Sequence, residues 1–273
     1  MRQILYVLPL LLTACSTAQH QQPHPNIPAS SGITLSPAQA QKIGQKIWQN
    51  ECAGTVDGLT SWNDGEDFAS LGIGHFIWYP AGKNGPFTES FPQLVAYLKA
   101  RRVPVPTWLD NTPDCPWRTK SAFLADFHSP RSTGLRTFLK NTVPQQTGFI
   151  VQRLEAALPK MLAAAPAADR NRVRHNFYAT AKSSNGIYAL IDYVNFKGEG
   201  TNPSERYHGK GWGLLQVLQN MRGTPSGATA ASEFAAAAAR TLSQRVANAP
   251  AARNESRWLK GWHSRCASYA RPF

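Results

Sequence analysis

Residues 57–80 limit most strongly what this chain can fold into. They are rich in Gly, Asp, Asn and aromatic side chains and carry no helical period, which suits a short twisted hairpin or sheet. Elsewhere apolar residues recur at helical spacing. Ile150, Leu154, Ala157, Leu158 and Met161 fall at i, i+4, i+7, i+8 and i+11, with Pro159 expected to kink that helix. Ile187, Leu190, Ile191 and Val194 form a second stripe. Phe234, Ala238, Leu242 and Val246 predict a helix over 230–247, and Trp258, Leu259, Trp262, Cys266 and Tyr269 predict the last one. Upstream, Ser36-Pro37-Ala38-Gln39 reads as a capping box with Pro in the first turn. Ile43, Ile47 and Trp48 then share a face, and the helix should end near Asn50. The Pro- and Gly-rich stretch 80–116 leaves room for at most one helix, near 91–101; others are expected at 119–127, 131–141 and 212–222. Helices around one small sheet predict an α+β fold, mostly helical, with the β part in an N-terminal lobe and a helical C-terminal lobe.

The chain has 273 residues, 42% hydrophobic and 16% charged, which excludes disorder. No internal repeat of solenoid length is visible. Lys and Arg number 29 against 16 Asp and Glu, so the net charge is 29 − 16 = +13. Such an excess raises nucleic acid as a partner, but no nucleic-acid motif is present.

The N-terminus reads as an address. Arg2 precedes the apolar run Ile4–Leu12, which is too short to span a bilayer and fits a signal peptide. Leu12-Thr13-Ala14-Cys15 resembles the bacterial lipobox, so residues 1–14 are expected to be removed and Cys15 lipidated. Ser16, in place of Asp, implies sorting to the outer membrane, facing the periplasm. Residues 15–35, rich in Gln, Pro and Ser, then form a tether, with His20 and His24 as solvated spacer. A lipid anchor at the membrane and peptidoglycan, whose stem peptides carry carboxylates, are the expected partners; nucleic acid is not. The remaining Cys52, Cys115 and Cys266 allow one disulfide and one free thiol. No CxxC or His/Cys cluster suggests zinc, and no metal or cofactor is expected.

Chemistry concentrates in residues 51–75. Glu51 stands just past a helix, Asp64 follows 13 residues later, Ser70 six after that, and then Gly72-Ile73-Gly74-His75. Glycosidic cleavage needs one carboxyl group to protonate the leaving oxygen and a second group to activate water or stabilise the oxocarbenium-like centre. Cys52, Ala53 and Trp62 offer Glu51 a partly apolar setting, whereas Asp64, among Asn63, Gly65, Glu66 and Asp67, is expected to stay solvated and ionised.

Trp62 to His75 resembles the active-site hairpin of phage-type lysozymes (glycoside hydrolase family 24). The resemblance implies Glu51 as general acid, Asp64 as second carboxylate, and Ser70 in the place of a Thr that positions water. Ala189 to Gly198 is similar to that family's buried central helix, and Asn254 to Trp262 to its closing helices. The likeness covers about 36–78 and 185–268 of a domain running from 36 to 273, and residues 79–148 exceed the family core as an inserted or elaborated segment. It also implies that Arg253 or Arg257 holds Glu51, and that Cys52 pairs with Cys266. Four extra residues around Thr55–Gly58 leave Asp57 as the alternative acid; Glu51 is preferred because Asp57-Gly58 reads as a turn.

A second polar cluster, 197–212, reads first as an interhelical loop. Its Tyr207 and Trp212 also offer sugar-stacking rings, and its Glu205 an acceptor for amides. The function implied is a peptidoglycan hydrolase, a muramidase. A lytic transglycosylase or a non-catalytic peptidoglycan-binding lipoprotein remain the alternatives.

Overall fold

The computed structural model describes residues 32–85 and 87–273. The signal segment, Cys15 and the tether up to residue 31 lie outside the described residues.

Helix α1 spans Pro37–Glu51. Its capping box forms as the sequence predicts: Ser36 Oγ accepts from Gln39 N–H, and Gln39 Oε1 from Ser36 N–H. Ile43, Ile47 and Trp48 are buried along one face. Three antiparallel strands follow in order, β1 (Thr60–Ser61), β2 (Ala69–Leu71) and β3 (Phe76–Trp78). Ser70 lies opposite Ser61 on one side and Ile77 on the other. Helix α2 (Phe91–Ala100) stands where expected, and a single-turn α3 (Thr107–Asp110) adds a helix to a stretch read as holding only one. Helices α4 (Lys120–Ala125) and α5 (Pro130–Asn141) complete the segment 79–148. It packs on the sheet rather than hanging from it. Trp78 and Trp117 stack edge to face at 6.3 Å, and the buried Arg136 donates to Thr60 Oγ1 and Phe127 O.

Helix α6 (Val143–Ala164) starts a full two turns before the apolar stripe that betrays it and runs on past Pro159. Helix α7 (Arg170–Thr180) escapes a sequence reading because its mean composition is polar; only Val173, Asn176, Phe177, Ala179 and Thr180 are buried. Helix α8 (Ser184–Lys197) is buried on every side from Asn185 to Tyr193, as a central helix must be, and ends at Gly198. Each large apolar side chain removed from water there contributes about 1.5–3 kcal/mol. A small hairpin, β4 (Arg206–Tyr207) with β5 (Lys210–Gly211), occupies the loop beyond it. Helices α9 (Leu214–Asn220), α10 (Ala228–Asn248) and α11 (Ser256–Ser268) close the molecule. The result is α+β: mostly helical, with a three-stranded sheet near the N-terminus and a two-stranded one later. Among the described residues no helix is long and apolar enough to cross a membrane.

The three cysteines of the described chain are free and buried, so the expected Cys52–Cys266 bridge is not formed. Each thiol lies in apolar surroundings instead. Cys52 Sγ donates to Gly72 O at 3.7 Å, Cys115 Sγ donates to Trp117 O at 3.6 Å, and Cys266 has no exposed surface. Burial pushes all three thiols up to about 12, with the charge of Glu51 adding to the effect at Cys52.

Candidate active site

Glu51 is the last residue of α1, and three features of the chain fix it there. The first is the Gly72–His75 turn between β2 and β3. Gly72 has φ +69°, and a Cβ on it would lie 2.4 Å from Gln146 Oε1, so only glycine fits. That same Gln146 oxygen accepts the Ile73 N–H at 3.0 Å, tying the turn to α6. The turn carries His75, whose Nε2 lies 3.0 Å from Glu51 O and 4.0 Å from Glu51 Oε2. A carbonyl only accepts, so Nε2 is the nitrogen that bears the proton.

The second feature is Arg265 of α11. Its Nη2 approaches Glu51 Oε1 at 3.6 Å. The lysozyme likeness points to Arg253 or Arg257 for this duty, and neither performs it: Arg253 is exposed and Arg257 lies over the Trp258 ring at 4.2 Å. The arginine does come from the last helix, but about two turns further along it.

The third feature, Asp192 of α8, is nearly sealed from solvent and grips Arg265 with both oxygens, at 2.7 Å to Nε and 2.8 Å to Nη2. Tyr269 donates to Asp192 Oδ2 at 2.6 Å and Tyr188 to Oδ1 at 3.1 Å. Asn50, beside Glu51, donates to Tyr188 Oη. Burial alone would weaken the Arg265 charge. The hydrogen bonds and charge of Asp192, with Glu51 adding to them, instead hold the guanidinium above its ordinary range. Burial and the Asp192 charge raise both tyrosines, so they stay neutral donors. α8 and α11 thus aim one guanidinium at the end of α1.

Glu51 opens onto a cavity of about 470 Å³. It is lined by Gly74, His75 and Ile77 together with Phe87, Thr88 and Ser90, and Ser90 is tied to Ile77: Ile77 N–H donates to Ser90 Oγ and Ser90 N–H to Ile77 O, each at 3.0 Å. The Phe87 ring is 56% exposed and braced edge-on by Phe68 at 5.9 Å, which leaves an apolar platform open to a ligand. Arg153 and Asn195 line the far side and also line a smaller cavity of about 120 Å³ that contains Glu199.

Other residues singled out in the sequence stand elsewhere. Asp64 lies in the β1–β2 loop with a 99% exposed side chain, held by Lys120 Nζ at 2.6 Å, and it does not line the Glu51 cavity. The hydrogen bond and charge of Lys120 lower its carboxyl below the usual range, in keeping with an ionised, solvated acid. Ser70 is buried in the middle strand and likewise does not line the cavity. Asp57 is 70% exposed and pairs with Arg136 at 3.4 Å, away from the cavity lining; Glu51 is therefore the acid that faces the cleft.

Tyr207 and Trp212 pack on one another at 4.7 Å rather than presenting free faces, and Trp212 is buried with the Arg245 guanidinium 4.1 Å from its ring centre. Glu205 is half-buried near Gly198 and lines neither cavity of the cleft. Burial closes Trp212 to sugar stacking, while Tyr207 stays half-buried beside it. What the sequence did not flag as site residues are Arg265, Arg153, Asn195 and Phe87. The Asn84-Gly85-Pro86-Phe87 sequence is the signal that would have marked Phe87 as a loop-borne aromatic.

Compared with known family models, curated proteins and solved structures, the chain matches none.

Proposed function

We propose that this protein cleaves the glycan strand of peptidoglycan between amino sugars on a lysozyme-like fold, with Glu51 as general acid. The observation that carries the proposal is Glu51 itself: a carboxyl at a helix end, open to a cleft, with the Gly72–His75 turn on one side and Arg265 on the other. Glu51 protonates the glycosidic oxygen, the bond to the sugar carbon breaks, and positive charge develops on that ring. Arg265 stabilises the carboxylate that remains by directing an N–H group toward it, while His75 Nε2–H holds the Glu51 carbonyl and so fixes where the acid stands. Phe87 gives the sugar ring an apolar surface to lie on. Without residues 1–14, which hold Arg2 and no acid, the net charge of 28 − 16 = +12 steers an anionic polymer toward the molecule. The lipobox at Cys15 motivates a lipid anchor in the outer membrane, facing the periplasm, and nucleic acid is not a partner.

In the hydrolytic form of this reaction a second group activates water, the role the family likeness gives Asp64 with Ser70. Their positions outside the cavity lining favour a second reading, lytic transglycosylation. There Glu51 gives its proton to the leaving oxygen and then takes one from the sugar's own hydroxyl, which closes an anhydro ring without a water. Mass spectrometry of purified peptidoglycan incubated with the protein separates the outcomes. New reducing ends mean hydrolysis, and anhydro-sugar ends mean transglycosylation. Intact strands would overturn the catalytic proposal and leave a wall-binding lipoprotein. Asp64→Asn sharpens the test, because hydrolysis loses most of its rate and transglycosylation keeps nearly all of it.

A further inference from the structure

We infer that the polar cavity between the β4–β5 hairpin, α7 and α9 is a binding site for a phosphate monoester carried on a sugar, with Arg206 and Lys210 as its uncompensated cations. This cavity shares no lining residue with the Glu51 cavity or with the smaller one beside it, so the inference does not rest on the catalytic reading. Three observations point to it.

The first is an excess of positive charge in an enclosed place. The cavity holds about 490 Å³, within the size of small-molecule sites. The charged residues that line it are Asp169, Arg172, Arg206 and Lys210. Asp169 is fully occupied: Arg172 Nη2 meets its Oδ1 at 2.9 Å, and Gln219 Nε2 donates to its Oδ2 at 2.9 Å. Arg206 makes one long hydrogen bond, from Nη1 to Gly209 O at 3.5 Å. The Lys210 side chain has no partner among the described residues. Three cations against one carboxylate leave two positive charges. A phosphate monoester carries about −1.5 to −2 near neutral pH and offsets that excess, whereas a single carboxylate offsets half of it. Its oxygens also accept from several N–H groups at once.

The second is the neutral lining. Gln219 Oε1 and both side-chain polar atoms of Gln244 make no hydrogen bond among the described residues, and Asn220 uses only its Nδ2, toward Thr241 Oγ1 at 3.0 Å. Free amide oxygens and one free amide NH₂ therefore stand beside the cations. Sugar hydroxyls donate and accept together and match such amides. Apolar lining is confined to Ala164, Pro166 and Leu215, which gives an acyl chain or an aromatic ring little to gain.

The third is the stiffness of the hairpin that carries Arg206 and Lys210. Its two turn residues, His208 at φ +49° and Gly209 at φ +73°, are both left-handed, as a two-residue hairpin turn requires. Tyr207 Oη donates to the buried Glu255 at 3.0 Å. On the other strand, a Cβ on Gly211 would lie 2.9 Å from the Gln216 side chain, so β5 rests directly on α9. Gln216 in turn donates to Gly200 O at 3.0 Å and accepts the Gly213 N–H at 2.9 Å. The backbone is thus fixed while the two cations are left over, an arrangement that fits recognition better than scaffolding.

The test is titration calorimetry on the full chain carrying Cys15→Ser, so that no acyl chain is attached. Glucose 1-phosphate, glucuronate, glucose and inorganic phosphate are compared at about pH 7.5, where the phosphate is mostly dianionic. Glucose 1-phosphate is expected to bind at least about 10-fold tighter than glucuronate, and tighter than inorganic phosphate, with glucose weakest. Arg206→Gln should weaken glucose 1-phosphate by about 10-fold, and Lys210→Gln, at an exposed position where folding is not at risk, by about threefold. No saturable binding of glucose 1-phosphate, equal affinity for glucuronate or for inorganic phosphate, or an affinity unchanged in both variants would overturn the inference. Two sources of the ligand are separated by sedimentation with phosphatidylcholine vesicles, with and without phosphatidylinositol 4-phosphate, whose ring bears the same group. Capture by the phosphorylated vesicles alone, lost in Arg206→Gln, supports the site as a reader of lipid headgroups. Binding of glucose 1-phosphate without vesicle capture supports it as a site for a soluble sugar phosphate.

Discussion

Two arginine–carboxylate pairs are built alike and end differently. Arg265 clasps Asp192 with two hydrogen bonds of 2.7 and 2.8 Å, and Arg245 clasps Glu255 with two of 2.8 Å. Each carboxylate is buried, and each takes a further hydrogen bond from tyrosine, Tyr269 and Tyr188 in the first pair and Tyr207 in the second. Around Arg245 the contact then closes. The guanidinium lies 4.1 Å from the Trp212 ring centre and 5.2 Å from that of Trp262, and its hydrogen bond to Glu255 leads the causes that lower that carboxyl. Around Arg265 one edge stays open, and at that edge, 3.6 Å away, is Glu51 in a cleft. The same chemical unit therefore fastens the β4–β5 hairpin to the last helices in one place and holds a reactive group in the other. What separates the roles is not the pair but whether a partly exposed acid stands within reach of its spare N–H.

The comparison breaks most sharply at Glu51. Glu51→Gln keeps the shape and removes the transferable proton, so peptidoglycan turnover should fall by about 10²–10⁴-fold. Thermal melting should stay close to that of the wild type, because Glu51 is the open end of its network. Unchanged turnover in this variant would erase the distinction between the two pairs.

The next effect concerns the closed ends. Glu255→Gln strips the charge from a buried pair and should cost about 3–5 kcal/mol in a denaturant melt, while folded molecules keep their turnover. Asp192→Asn should cost about 3 kcal/mol, the lower end of that range because Arg265 is partly wetted, and should also slow turnover by releasing the guanidinium from its aim at Glu51. The Glu255 effect carries a pH signature. Its carboxyl is lowered in the fold, so its stabilisation is present above the ordinary carboxylate range and lost as the pH falls through the folded value. The gap between wild type and Glu255→Gln should narrow on acidification; a gap that widens would contradict the pairing.

The smallest expected effect lies at Lys197, in the closed cluster, with Nζ 3.7 Å from the Trp262 ring centre. Burial, then the nearby Arg245 charge, lowers this ammonium to about 8. A lysine lowered in the fold binds its proton less readily there than in the unfolded chain. Its charge therefore opposes folding below about 8, and that opposition fades as the pH rises toward the ordinary lysine value of 10.5. Lys197→Met should be favoured relative to wild type most strongly near neutral pH and progressively less from pH 8 to 10. Parallel melting curves across that range would show that Lys197 is not strained.

Much of this molecule was legible before any coordinates. The Ser36–Gln39 capping box, the N-terminal β-competent stretch and the central helix stripe are local patterns, and local hydrogen bonding and side-chain periodicity set them, whereas the β4–β5 hairpin was read as a loop. Glu51 was legible as well, since it closes the first helical pattern and a Gly-Ile-Gly-His turn follows 21 residues on, each a local signal. Helix α7 was hidden because only five of its residues face the core and the rest are polar.

What the sequence alone determined, then, is the α+β class, most of the long helices and the acid at the end of α1. Only the tertiary structure decided that Arg265 rather than Arg253 or Arg257 meets that acid, that Asp64 turns to Lys120 at the surface, that Cys52 and Cys266 remain apart as thiols, and that Glu199 shares a rim with Arg153 and Asn195. The physical reason is range. Caps, turns and apolar stripes are fixed by neighbours within a few residues. The partner of a charge is fixed by how helices far apart in sequence rotate and slide as they pack. A shift of two turns along α11 moves the guanidinium by roughly 11 Å, at 1.5 Å per residue, and no pattern in the α11 sequence records which turn will face the cleft.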